Sequence, residues 1–141
     1  MAGYSGTPLP KKLGIKDGAR LGVVRAPDDF TRTLGALPVG VVARKVVAGK
    51  GTYDVIVCFT RTMAELARDV PVLKQRLDPA GGLWLAWPKQ ASGVETDVNE
   101  TLVRTRGLAA GLVDNKVCAI DDVWSGLRFV VRLGDRPKPS R

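Results

Sequence analysis

The chain has 141 residues, 45% of them hydrophobic and 26% charged, and carries a formal net charge of +8. These values describe one ordinary folded domain, and no apolar run approaches the ~18 residues of a membrane span. The chain contains no histidine, which removes the commonest general base and metal ligand and excludes a Ser-His-Asp or Cys-His mechanism.

The positive charge is unevenly spread. Residues 1–20 carry a net +3, residues 132–141 another +3, and the 111 residues between them only +2. Basic ends of this kind are solvated tails, and no basic stripe runs along a face of the fold, so nucleic acid is not the expected partner. It stays a weaker alternative through the basic arms. There is no apolar leader before a small-residue cleavage site, and the expected location is cytoplasmic. Cys58 and Cys118 sit among apolar neighbours without CxxC spacing and read as small buried hydrophobes, neither a disulfide nor a metal site.

Taken in order, residues 1–16 form an extended basic arm, with Tyr4, Leu9, Leu13 and Ile15 available to pin it. Asp17-Gly18 signals a turn and residues 19–25 a first strand. Pro27 biases Ala26 away from helix, and Asp28 or Asp29 can cap a short helix over Phe30–Leu34. Residues 39–47 read as a more polar strand near a sheet edge, and residues 48–52 as a flexible turn.

The central unit is strand, helix, strand. Residues 55–59 and 83–87 are continuous apolar runs without alternation, the pattern of parallel strands buried on both faces. Between them, Thr62 to Glu65 fits a capping box, and Met63, Leu66, Ala67, Val70, Leu73 and Leu77 form a helical stripe. Pro71 should kink or restart that helix. Pro79, Gly81 and Gly82 mark a corner. Residues 89–95 are a loop, and Thr96 or Asp97 caps a helix to about Gly111. Residues 115–120 and 127–133 are strands joined as a hairpin through residues 121–126. The expected fold is α/β, an open and mostly parallel Rossmann-like sheet with a C-terminal antiparallel hairpin, three-layered but reduced. Residues 17–133 form the single domain and 134–141 a basic Pro-rich tail.

This order, with LGIKDGARLGVV leading in, LDPAGGLWL at the corner and GLVDNKVCAIDDVWSGLRFVVR closing the sheet, resembles the Rossmann-like methyltransferase fold, with one helical layer missing or shortened in the first half. The resemblance implies a glycine-rich turn after the first strand and an acid after the second. Here Arg25-Ala26-Pro27-Asp28-Asp29 and Val46-Val47-Ala48 stand in those places, so S-adenosylmethionine binding is not expected and no cofactor is assigned. A second resemblance runs through Tyr4-Ser5-Gly6-Thr7-Pro8-Leu9, Lys11-Lys12-Leu13-Gly14, Trp87-Pro88-Lys89, Ser92-Gly93 and Thr96-Asp97. It is to a family of small actinobacterial proteins known as a domain of unknown function, and implies an intracellular protein without implying an activity.

Ligands of open α/β sheets bind beyond the carboxyl ends of the strands. The candidate ligand-binding residues there are Arg25, Asp28, Arg61, Trp87, Lys89, Ser92, Gly93 and Asp97. Trp87 could stack a planar ring, and Arg25, Arg61 and Lys89 could hold an anion. The plainer reading is that Trp87 closes the core, Ser92-Gly93 form a turn, and Arg25 and Arg61 pair with Asp28 and Asp29 as solvated salt bridges. Ser5 and Ser125 lack a base partner, and Asp121-Asp122 reads as turn chemistry and not a metal pair. No catalytic or metal-binding residue is assigned. The favoured function is a non-catalytic binding or regulatory module that recognises a protein partner or a small anionic ligand. The alternative is a divergent transferase-like enzyme using the strand-end cluster. The exposed first-half face offers a surface for a partner or a second copy. On this reading, Trp87→Ala and Lys89→Ala abolish binding and leave the fold nearly intact.

Overall fold

The computed structural model describes residues 6–46 and 51–137. Tyr4 and Ser5 of the arm, the end of the second predicted strand with most of the turn after it (residues 47–50), and residues 138–141 of the tail lie outside the described residues. The strands are β1 (Arg20–Val24), β2 (Val42–Lys45), β3 (Tyr53–Phe59), β4 (Leu77–Pro88), β5 (Leu112–Ala119) and β6 (Trp124–Val131). The helices are α1 (Leu9–Lys12), α2 (Phe30–Leu34), α3 (Met63–Arg76) and α4 (Glu100–Ala109).

All six strands form one sheet in the order β2-β1-β3-β4-β6-β5. The first four are parallel, and β6 runs antiparallel to both β4 and β5. The architecture is the open, mostly parallel Rossmann-like sheet with a closing antiparallel hairpin that the apolar runs and loop lengths predict. β3 and β4 occupy the centre because their unbroken apolar runs must be covered on both faces. One face packs Ile56, Cys58, Leu83, Leu85 and Trp87 under Leu66, Val70 and Leu73 of α3 and Val103 of α4. The other packs Val55, Val57, Phe59, Trp84 and Ala86 under Leu13, Ile15, Phe30, Leu34 and Trp124.

The second layer is thin, since among the described residues its helices are the short α1 and α2. The described part of the predicted arm is therefore not extended. Leu9–Lys12 makes a helical turn, Leu13 and Ile15 are buried, and the Trp84 indole N–H donates to Leu13 O at 3.0 Å. A buried indole needs that acceptor, and the bond ties the arm to the middle of the sheet.

Several boundaries differ from expectation, and β5 and β6 each begin three residues early, at Leu112 and Trp124. α3 continues through Pro71 without a restart, its N-terminus held by the full capping box of Thr62 and Glu65 and its inner stripe buried. β2 is four residues long, because Val39 is 81% exposed and Gly40 adopts φ +76°. α4 is capped by Asn99, whose side chain accepts from Leu102 N, and not by Thr96 or Asp97. β4 starts at Leu77 and runs through the glycine corner, with a register shift against β3 between Tyr53 and Val55.

Gly107 sets how closely α4 approaches the sheet. A Cβ there would lie 2.0 Å from the Phe129 ring, inside the core. Gly107→Ala would gain about 1 kcal/mol of helix propensity and lose about 1–3 kcal/mol to overpacking. Net destabilisation is expected, read as a lower urea midpoint at unchanged slope.

Candidate functional site

The sheet order reverses at β1. The chain leaves β1 toward β2 on one side and returns to β3 on the other, so the connections diverge beyond the carboxyl ends of β1 and β3 and leave a crevice. Arg25, the residue after β1, stands there. It has φ 53°, the one non-glycine residue in the left-handed region among those described. A long side chain held in that conformation is strained unless its contacts over-determine it. Those contacts are present. Its Nε donates to Phe59 O at 3.0 Å and lies 3.3 Å from Glu65 Oε2, and its Nη2 bonds the Asp69 carboxylate.

Glu65 and Asp69 are one turn apart on α3 and so share a face. Glu65 Oε1 accepts from the backbone N–H of Arg61 at 2.8 Å and of Thr62 at 3.3 Å, while Oε2 meets Arg25. One carboxylate therefore closes the helix N-terminus and anchors the arginine. Partial burial by itself would lower the Arg25 pKa, but the hydrogen bond to Asp69 and the negative charges around it outweigh that and raise it. Beneath the cluster, Cys58 is held far above an ordinary thiol pKa, first by burial and then by the Asp69 charge. It is an inert core thiol.

Of the predicted site residues, only Arg25 enters this cluster by its side chain; Arg61 meets it through its backbone N–H alone. Asp28 is exposed on the turn before α2, and Asp29 holds the N-cap position of α2 without a side-chain capping bond. Neither pairs with Arg25 or Arg61 among the described residues. The predicted salt bridges fail because Glu65 and Asp69 face Arg25 from α3, while Arg61 lies 5.8 Å from the Trp124 ring centroid. Trp87 is 6% exposed and packs in the core. Lys89 spends its ammonium on Asp121 O at 2.6 Å, and its carbonyl accepts from both Ser92 N and Ser92 Oγ. Gly93 ends that turn at φ +75°. Asp97 Oδ1 accepts from Met63 N at 2.8 Å and so caps α3. The WPKQASG loop is thus a self-bonded turn. Asp121 Oδ1, accepting from Val123 N and Trp124 N at 2.8 Å, makes the hairpin turn.

Sequence reasoning missed Glu65 and Asp69 as site residues. Their i, i+4 spacing just after the strand-end Thr60-Arg61 was the available signal. A second feature opens beside the same β1–α2 turn: an apolar groove of about 250 Å³ lined in part by Ala26, Pro27, Phe30, Leu34 and Leu37, with Arg44 and Lys45 at its β2 side.

No protein-family model matches the chain, and no curated protein matches it. Solved structures do. A putative type 11 methyltransferase from Sulfolobus solfataricus superposes with a TM-score of 0.62 at 10% identity, covering 92% of this chain and 93% of that one. A SAM-dependent methyltransferase from Aquifex aeolicus gives 0.60 at 16% identity, over 84% and 85%. DhpI, solved as a complex with SAH, gives 0.59 at 12% identity, over 94% and 83%. At these identities the likeness is one of fold.

Two expectations are corrected by these findings. The non-catalytic binding module is not the reading these structures support, since those that share the scaffold over most of the chain include methyltransferases. The exclusion of S-adenosylmethionine rested on an absent glycine turn and an absent acid after β2. Among the neighbours of the same fold at 10–16% identity, one is described as a SAM-dependent methyltransferase and another was solved with SAH bound, so the exclusion of the cofactor does not stand. The crevice itself is made by strand order.

Trp87→Ala is expected to cost about 3–5 kcal/mol as a core truncation, and thermal unfolding should show it, whatever happens to binding. Burial raises both thiols, Cys118 as well as Cys58. The stability this protonation carries is present below the ordinary thiol value of 9.0 and is lost as pH rises above it, since the unfolded chain then releases protons that the folded chain keeps. Urea midpoints should fall from about pH 9 upward, and less steeply in a Cys58→Ala variant.

Proposed function

We propose that the protein is a transferase of the methyltransferase type, with an S-adenosylmethionine-class cofactor bound at the carboxyl ends of β1 and β3. The observation that carries this reading is the Arg25–Glu65–Asp69 cluster at the point where strand order reverses. Its donor set fits the amino-acid end of the cofactor. One guanidinium matches one carboxylate, and two carboxylates match the ammonium and the sulfonium. The cluster sums to −1 and the cofactor to +1, so binding neutralises both. The neighbouring apolar groove has the chemistry to take a planar ring against Pro27 and Phe30.

When bound, the cofactor supplies an activated methyl group. The chain's own residues bind and orient. Arg25 would hold the carboxylate end, Glu65 and Asp69 would face the positive end, and the capped N-terminus of α3 keeps both carboxylates in place. With no histidine, the chain lacks the commonest proton acceptor, which favours an acceptor substrate already unprotonated in water and a rate gained mainly by positioning.

Calorimetric titration tests this. S-adenosylmethionine should bind more tightly than uncharged-sulfur S-adenosylhomocysteine, and Arg25→Ala should weaken both at least tenfold, with Asp69→Asn weakening S-adenosylmethionine more. No heat and no thermal stabilisation with either compound at millimolar concentration would overturn the proposal.

A further inference from the structure

At the opposite end of the sheet, a pocket of about 320 Å³ lies between the Gly14–Ala19 segment and the amino ends of β3 and β4. Measured along β3, from Val55 beside Gly82 to Phe59 at ~3.3 Å per residue, it is about 13 Å from the strand-end crevice. Arg128 of β6 lines it. Gly82 lets the guanidinium lie against β4, since a Cβ there would sit 2.4 Å from Arg128 Nε.

Arg128 is half-buried, and among the described residues its one hydrogen bond is the 3.3 Å contact from Nη1 to Asn115 Oδ1. Among the described residues no carboxylate pairs with it, and four of its five N–H donors have no protein partner there. Burial, together with the charge of Arg136, pulls its pKa down from the ordinary value. Three carboxylates line the same pocket, the exposed Asp17 and the half-buried Asp54 and Asp78. Asp54 Oδ2 accepts from Arg20 N at 2.8 Å and Asp78 Oδ1 from Ala80 N at 2.9 Å. Each is fixed by a backbone amide, and neither reaches Arg128 within ion-pair distance among the described residues. Opposite charges are thus held apart across a cavity.

We propose that this pocket is a second binding site, for a small zwitterion of the α-amino-acid class, whose carboxylate lies on Arg128 and whose ammonium lies between Asp54 and Asp78. A simple anion would meet two fixed carboxylates, and a simple amine would meet Arg128. A molecule with both charges satisfies the cation and the anions together, and the exposed Lys16 and Asp17 of the lining add one charge of each sign. The site is distinct from the crevice and independent of the cofactor reading.

Free glycine, alanine and methionine serve as probes, against their N-acetyl derivatives and their amides. Free amino acids should raise the melting temperature by about 3–6 °C near saturation and shift the Gly81 and Gly82 amide resonances, while the blocked forms do neither. Asp54→Asn and Asp78→Asn keep the backbone hydrogen bonds and should each weaken binding at least tenfold. Arg128→Gln should abolish it, and Arg25→Ala should leave it unchanged. Equal binding of the N-acetyl forms or of the amides would overturn the zwitterion assignment. Loss of binding in Arg25→Ala, or no binding by any probe, would overturn the site.

Discussion

β3 and β4 lie side by side with side chains buried on both faces, and the rest of the molecule follows from covering them. A strand with no wet face has to be roofed twice, which demands a crossover helix between the two strands and a second layer on the far side. α3 and α4 supply the first roof. The second is assembled from smaller pieces: a helical turn at α1, another at α2, and Trp124 from the hairpin, whose ring meets Phe59 edge-on at 5.0 Å. Trp84 lies in that layer, and its single polar atom is satisfied by a carbonyl from the N-terminal segment. The short first half of the chain therefore still completes a three-layer domain.

Much of this was legible. The runs 55–59 and 83–87 have no alternation, the mark of strands covered on both faces. The stripe of Leu66, Val70 and Leu73 and the Thr62–Glu65 box identify α3 to within a residue. What was not legible depends on contacts distant in sequence. Pro71 signals a break by local rules, yet the helix is held from both ends and along its buried face. Thr96 and Asp97 look like caps for the helix that follows them, but they fold back to bond Arg61 O and Met63 N, 34 or 35 residues earlier. A cap signal names a donor-hungry helix end without saying which one.

The same limitation governs the site. Arg25 was identifiable because strand ends carry ligands, but its partners are set by which helix face turns toward it. The adjacent acids Asp28 and Asp29 were the nearest in sequence. Glu65 and Asp69 won because α3 roofs this face of the sheet and its first turns bring both carboxylates to Arg25. Conversely, the residues that looked most chemical, Trp87, Lys89 and Ser92, are absorbed by the core and by a turn that bonds to itself. Residue type suggested function there, while hydrogen-bond satisfaction decided it.

The exposed strand β2 carries one further consequence. Because the sheet ends there, a row of backbone amides and carbonyls faces outward, and such rims invite a neighbouring chain to add a strand. β2 is four residues long with Arg44 and Lys45 exposed along it, and β5 on the far rim bears exposed Lys116 beside an irregularity between Asp114 and Lys116. Short length, like charges and a broken ladder each make a poor template for cross-β stacking. The lysines and arginines that give this protein its basic character thus act in part as gatekeepers, keeping an open sheet from growing into its neighbours.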